Sequence, residues 1–260
     1  MKLHRIWASA LHSWYHLNHS METWVDLFWF SLIDILVFGF ISSFFAQNTE
    51  QAKFLVIGIL MWEVVRIGQY TISVGILWEV WSKSFSSLFI SPITIWEFIS
   101  GQALSGIVKS AVVISAASLI CYFVFNFNIL IIGALPLISY FTALSIFSAA
   151  AGIFVLSLII RFGTGIQSLA WGLIFLVQPF SAMFYPVKAL PPLIQPISYL
   201  SPVTYIMESC RSQLSGDGVI WNFVGISTLL SLLYLGLSIW ITNRAVDQSQ
   251  NSGAFARMGS

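Results

Sequence analysis

Ile129-Leu-Ile-Ile-Gly-Ala-Leu-Pro-Leu-Ile-Ser-Tyr-Phe-Thr-Ala-Leu-Ser-Ile-Phe-Ser-Ala-Ala-Ala-Gly-Ile-Phe-Val-Leu-Ser-Leu-Ile159 runs for 31 residues without one charged side chain. A helix needs about 20 such residues to cross the roughly 30 Å hydrocarbon core of a bilayer. The stretch therefore reads as a membrane span, interrupted by Pro136. Its run Ser148-Ala-Ala-Ala-Gly152 lets a neighbouring helix approach closely.

Working outward, the same signal recurs on both sides. Upstream, Asn126 to Asn128 make a tight turn after a span at about 98–125, which contains Lys109. Further upstream lie spans at about 54–76, with Glu63 and Arg66, and about 26–46, with Asp26 near one end and Asp34 inside. Downstream, Arg161, Gly163 and Gly165 mark a short loop. A span at about 166–185 follows, with Pro179 as a kink. A last span covers about 219–242, and residues 244–260 form a polar tail. The fold class is thus an all-α membrane protein with six transmembrane helices, its spanning domain covering 25–243. Composition agrees. Hydrophobic residues make up 58% of the chain and charged residues 8%, against about 25% charged in a soluble domain. Mean hydropathy is +0.87.

Three segments are not spans. Residues 1–24 place Leu3, Ile6, Trp7, Ala10, Leu11, Trp14 and Leu17 at helical spacing among His4, Arg5, His12, His16 and His19. This predicts an amphipathic helix lying in the membrane interface, not a cleaved signal peptide. His12, His16 and His19 have the spacing of metal ligands, but a polar face at headgroup level is the expectation, with no metal. Residues 78–92, ending at Ser91-Pro92, read as an amphipathic cytoplasmic helix. Its apolar side holds Trp78, Trp81, Phe85, Leu88 and Phe89; its polar side holds Glu79, Lys83 and the serines. Residues 186–218 hold Pro186, Pro191, Pro192, Pro196 and Pro202 beside many apolar residues. They are too broken to span and too apolar for a free loop, so short external re-entrant helices are expected.

Six spans put both termini on one side. Placing them in the cytoplasm puts Lys2, Arg5, Lys83, Arg161, Arg244 and Arg257 inside and Lys53, Lys188 and Arg211 outside. That is the bias of cytoplasmic termini. Four charges fall within spans: Asp34, Glu63, Arg66 and Lys109. Each costs roughly 2.5–3.5 kcal/mol on insertion scales and so needs a partner or a function. Glu63 and Arg66, three apart, can meet on one helix face. Two readings are open: a polar path or relay for an ion-coupled secondary transporter, or an internal ion network that fixes helix register. No repeat between residues 1–130 and 131–260 supports the former.

Other functions find no residues. The sequence has no Walker-type Gly-rich loop ending in Lys-Ser/Thr, no His-Glu-x-x-His and no Gly-x-Ser-x-Gly. No catalytic residue is assigned, and a lipid-modifying membrane enzyme is a third, weaker reading. A net charge of +1 implies no nucleic acid partner. Cys121 and Cys210 are too few for a disulfide framework; a bridge between them stays open.

Two local patterns carry a family resemblance that covers essentially the whole chain. Ser84-Phe-Ser-Ser-Leu-Phe-Ile-Ser-Pro-Ile-Thr-Ile-Trp-Glu-Phe-Ile-Ser-Gly-Gln102 resembles the segment ending in Ser-Pro and then Gly-Lys of ABC-2 type exporter permeases. Tyr185-Pro-Val-Lys-Ala-Leu-Pro191, followed by Ser201-Pro-Val-Thr-Tyr205 and Arg211, is similar to their external Pro-rich stretch, with Pro191, Pro202, Thr204, Tyr205 and Arg211 as the matching positions. Ser86 and Gln102 stand where the family often has Glu and Lys. The resemblance implies a permease subunit of a bacterial plasma membrane exporter. It would pair with a second copy or a related permease and with separate ATP-binding cassette subunits, which carry ATP and Mg; this chain itself holds no cofactor. It implies that Glu79, Lys83, Ser84, Phe85, Ser91 and Pro92 lie on the helix coupled to the ATP-binding subunit. The substrate class implied is amphiphilic or lipid-linked.

Overall fold

The computed structural model describes residues 1–44, 49–84 and 92–251. Among them every regular element is a helix. α1 (Leu3–His19) is followed by α2 (Met21–Trp24), which runs through a π-turn at Val25–Trp29 into α3 (Phe30–Phe44). Then come α4 (Thr49–Trp81), α5 (Ile95–Phe125), α6 (Ala134–Phe162), α7 (Leu169–Val177), α8 (Gln195–Ser198), α9 (Pro202–Leu214) and α10 (Trp221–Asn251). Among the described residues five stretches are long and apolar enough to cross a membrane: Met21–Ser42, Ala52–Trp81, Ile95–Phe125, Ala134–Phe162 and Trp221–Ser249.

α4 is the axis of the molecule. It is buried along nearly its whole length, whereas α3, α5 and α10 each keep a broad apolar face open. α6, α5, α3 and α9 pack around it, and α10 packs along α6. Two apolar clusters stack along α4. One gathers Phe54–Val65 with Tyr140, Phe147, Met183 and Ile206; the other gathers Tyr70–Val80 with Phe98, Leu156 and Ile160. Between hydrocarbon tails and apolar side chains there is little hydrophobic driving force, so close packing and hydrogen bonds must hold such helices together. The small residues do this at the α4–α6 crossing. A Cβ on Gly152 would lie 2.8 Å from Cβ of Ile72, and one on Gly68 would strike Ser148.

Several expectations need correction. Pro136 sits in the first turn of α6, where its missing N–H costs no bond, and does not interrupt the span. The second span does not break at residue 76. α4 continues to Trp81 because nothing in Ile76-Leu-Trp-Glu-Val-Trp81 stops a helix, and the turn comes only at Lys83, which takes a positive φ of 56°. A separate helix at 78–92 is thus not seen up to Ser84; residues 85–91, with Phe85 and Ser91, lie outside the described residues. The stretch 166–185 is broken at both ends. A 3₁₀ turn at Gly163–Ile166 precedes α7, and Gln178-Pro179 ends it in a second 3₁₀ turn. Leu169–Phe180 is about 18 Å long at helical rise, short of the roughly 30 Å a crossing needs.

Contacts nonetheless fix where each end of that segment lies. Trp81 Nε1 donates to Gln167 at 3.3 Å, and Gln69 Nε2 donates to Ala170 O at 2.9 Å. Met183 O meets Gly58, and the Arg211 guanidinium stacks on Phe54, 3.9 Å from its ring centre. Between Gln167 and Met183 the chain therefore climbs from the Trp81 end of α4 toward the Phe54 end. α10 then returns: Ser227 donates to Pro202 O, Ser238 to Ala150 O, and Ser249 to Ile160 O. At the Trp81 end the start of α1 and the later part of α10 both meet the start of α5, as Lys2 N donates to Glu97 and the adjacent Trp96 Nε1 to Asn243.

Candidate functional site

Three groups of polar side chains interrupt the apolar packing. The first is the charge cluster between the two core layers. Arg66 Nη2 lies 2.6 Å from Glu63 Oε2, and Nε lies 3.0 Å from Oε1. The π-turn in the preceding helix inserts an extra residue per turn, and Asp26 within it presents both its carbonyl and its carboxylate to α4. The carbonyl accepts from Arg66 Nη1 at 3.1 Å, and the carboxylate accepts from Tyr70 at 2.6 Å. Ser31 accepts from Arg66 Nη2 at 2.6 Å, and its single proton lies between Glu63 and Leu27 O. Glu63 is 0% exposed and Arg66 7%. Asp34, half-buried, contributes only its charge, facing both.

The pair expected from spacing is thus formed, and every side of the guanidinium is bonded to fixed groups. Removing two charges from water costs several kcal/mol each, and only geometry of this quality repays it. Glu63 offers no path to solvent in the single chain. The arrangement favours a register lock between α3 and α4 over an ion relay.

Lys109 does not join this cluster. Its ammonium donates to Ser13 Oγ at 2.8 Å and Ser13 O at 3.2 Å, both on α1. α1 proves to be a brace alongside α5. It runs parallel to the start of that helix, with Lys2 at Glu97, Ser9 at Phe98 and Gly101, and Ser13 at Ser105 and Lys109. Its amphipathic pattern holds only in part: the buried positions are Ser9, Ala10, Ser13 and Leu17, two small polar residues with two of the apolar ones. Leu3, Trp7, Leu11 and Tyr15 form the open stripe. The histidines part company: His12 Nδ1 lies 3.4 Å from Glu79, His16 packs against Trp78, and His19 bonds to Tyr15 O. Among the described residues no group of His, Cys, Asp and Glu could hold a metal.

The second group flanks the segment between α4 and α5. Glu79 was expected on an open polar face, but α1 covers it to 5% exposure, where it faces His12 and accepts from Ser84. Lys83 is exposed and Ser84 half-buried. On the far side, Pro92 O accepts from Arg5, and Glu97 binds Lys2 N at 2.7 Å, Arg5 at 3.5 Å and the Thr94 backbone N–H at 3.0 Å. Thr94 and Glu97 form a reciprocal N-terminal capping box for α5. Sequence reasoning missed Glu97 as the anchor of α1, although Thr-x-x-Glu before an apolar run was the available signal.

The third group ties down the Pro-rich region, which folds as a 3₁₀ turn at Val187–Ala189, then α8 and α9. Pro202 opens α9 at a position where a missing N–H costs nothing. Thr204 donates to Ser198 O at 2.6 Å. Tyr205 packs its ring on Tyr199 and Phe223. Arg211 pairs with Glu208 at 2.6 Å and donates to Ala182 O at 3.1 Å, a carbonyl presented by a residue at a φ of 54°. Burial lowers the Arg211 pKa from its usual value, with Glu208 working the other way. Pro191 is exposed at a turn. Four of the five family-pattern residues thus fasten this region to the bundle. The two cysteines are free and buried, and burial pushes the Cys210 thiol up.

A cavity of about 500 Å³ lies between α6, α7, α10 and the start of α9. Among the described residues no charged side chain lines it.

No curated protein matches the chain. The family described as ABC-2 type transporter matches residues 17–215, a range that takes in the charge cluster, the α4–α5 segment and the Pro-rich fastening. The chain belongs to the ABC-2 type transporter family and is a multi-pass membrane permease of that type.

Proposed function

We propose that this permease is the membrane subunit of an ATP-driven exporter, pairing with a second permease and with separate ATP-binding subunits to move an amphiphilic or lipid-linked substrate out of a bacterial cytoplasm. The family match over residues 17–215 carries this reading. The absence of a Walker-type loop in these residues supports placing ATP and Mg on a partner. The segment between Trp81 and Pro92 is the proposed contact with that partner. The residues flanking it are held to α1, Glu79 by His12 before it and Pro92 and Glu97 by Arg5 after it, so a push transmitted to those flanks would reach α4, α5 and α1 together. The sealed Glu63–Arg66 pair weighs against the ion-coupled alternative.

The test is purification of the tagged permease from its native membrane. An ATP-binding subunit should copurify, and Lys83→Glu should weaken that association and the substrate-stimulated ATPase activity while expression and detergent stability hold. Transport that follows a proton gradient without ATP would overturn the reading.

A further inference from the structure

Asp34 stands near the middle of the apolar stretch Met21–Ser42, about 15 Å at helical rise from both Trp24 and Phe44. Of the carboxyl groups around Arg66, Asp26 accepts from Tyr70 and Glu63 pairs with the guanidinium itself. Asp34 has no hydrogen bond and no ion pair with any described residue. It meets Glu63 and Arg66 only through its charge, so three carboxyl groups share one guanidinium. Its position on the helix is also unusual. α3 buries Ser31 and Ile35, whereas Phe30, Val37 and Ile41, at helical spacing from Asp34, are exposed. Asp34 lies on the border between the two faces, half-buried. Acids inside a membrane pair with a cation or face a water-filled path, and such residues mark substrate and ion routes.

The cation that would answer Asp34 is missing from the other candidates. A second copy of this chain has none to give. The only Lys and Arg within its spans are Arg66 and Lys109, both buried and already bonded. A phospholipid ammonium stays in the headgroup layer, half a bilayer away. A hard metal ion takes roughly six oxygen ligands, and the open residues beside Asp34 are Phe30, Ile33, Val37 and Ile41. On the exporter reading, on which this assignment rests, the transported molecule is the species that brings a charge to mid-bilayer. We infer that Asp34 holds the positive charge of that molecule, an amphiphilic organic cation whose apolar body lies along Phe30, Val37 and Ile41. The Phe30 ring suits such a cation on a second side.

The probe is tetraphenylphosphonium, an apolar body with one positive charge, set against tetraphenylborate, which has the same shape and a negative charge. The tagged full chain is purified from its native membrane into phosphatidylcholine nanodiscs. Dicyclohexylcarbodiimide, an apolar reagent for carboxyl groups, should modify Asp34 and leave Glu63 untouched, as located by peptide mass spectrometry. Tetraphenylphosphonium should protect Asp34 several-fold and tetraphenylborate should not. Asp34→Asn should weaken binding of the radiolabelled cation about tenfold, a charge contact discounted for desolvation. Asp34→Glu should retain it. Unchanged thermal stability is the control for folding, and protection of the unaltered chain needs no variant. Modification that the cation does not diminish would mean a carboxyl that carries only a proton, and would overturn the assignment. An Asp34 that resists the reagent with no cation present would overturn it too, because the residue would then be covered by a neighbouring chain. Copurification of an ATP-binding subunit, scored on the same preparation, tests the exporter reading separately: its presence beside an unprotected Asp34 removes the cation site alone.

Discussion

Single residues decide whether this bundle closes, because its helices meet through small contacts and a few buried bonds. Glu63 and Arg66 are the sharpest case. Glu63→Gln leaves a buried guanidinium facing a neutral amide and should cost about 3–5 kcal/mol, read as a lowered melting temperature in detergent. Arg66→Gln should cost a similar amount, and the double variant should recover part of the loss because neither charge is then orphaned. Strict additivity would mean that the pair contributes nothing as a pair. Gly68 tests packing in the same way. A methyl there would strike Ser148 Oγ and lie 2.8 Å from Ser148 Cβ, so Gly68→Ala should destabilise by about 1–3 kcal/mol. Adding Ser148→Gly, which removes both clashing atoms, should restore most of it. At Cys210 the raised thiol pKa and complete burial predict no reaction with a maleimide in the folded protein.

At the scale of elements, α1 is held by its ends and its seam. Glu97→Ala removes the acceptor for Lys2 and Arg5 and half of the capping box on α5, where a cap is worth about 1 kcal/mol. A cysteine at Ser13, buried against α5, should then become accessible to an aqueous thiol reagent; continued protection would mean that Lys109 and Ser105 hold α1 unaided. How much of this was legible varies by element for physical reasons. The long spans were visible because a bilayer demands uninterrupted apolar length, and the Glu63–Arg66 pair because three residues set one helix face. The inward face of α1 was not visible. Ser9 and Ser13 look like a solvent-facing stripe until α5 is known to offer Gly101, Ser105 and Lys109. The end of α4 was misplaced because Trp78 and Trp81 suggested an interfacial element, while their rings meet edge to face and Trp81 stacks on Trp171 of α7. Asp26 became part of the charge cluster only through a π-turn, which has no clear sequence signature. The bracing of Glu79 is likewise tertiary.

For the whole molecule, parity is the central question, since α7 alone decides whether the chain crosses the bilayer five times or six. Charge counting cannot decide it. With six crossings and an internal N-terminus, Lys2, Arg5, Lys83, Arg161, Arg244 and Arg257 lie inside, against Lys53, Lys188 and Arg211 outside. With five crossings, Lys188 and Arg211 move in while Arg244 and Arg257 move out, and the count is again six against three. Contacts discriminate where charges do not. Gln167 bonds to Trp81 at one end of α4, Met183 meets Gly58 and Arg211 stacks on Phe54 toward the other, and Lys2 and Asn243 bond to adjacent residues at the start of α5. These favour a sixth traverse made by a short helix and its flanking turns, with the Pro-rich region completing the depth that α7 lacks. In a background without Cys121 and Cys210, a single cysteine at Ser252 should therefore resist an impermeant thiol reagent in intact cells and react once the membrane is opened. A cysteine at Lys188 should react in intact cells. If Ser252 is labelled from outside and Lys188 is protected, α7 does not cross, and Lys2 and Asn243, both held at the start of α5, would have to be drawn apart by a rearrangement of α10.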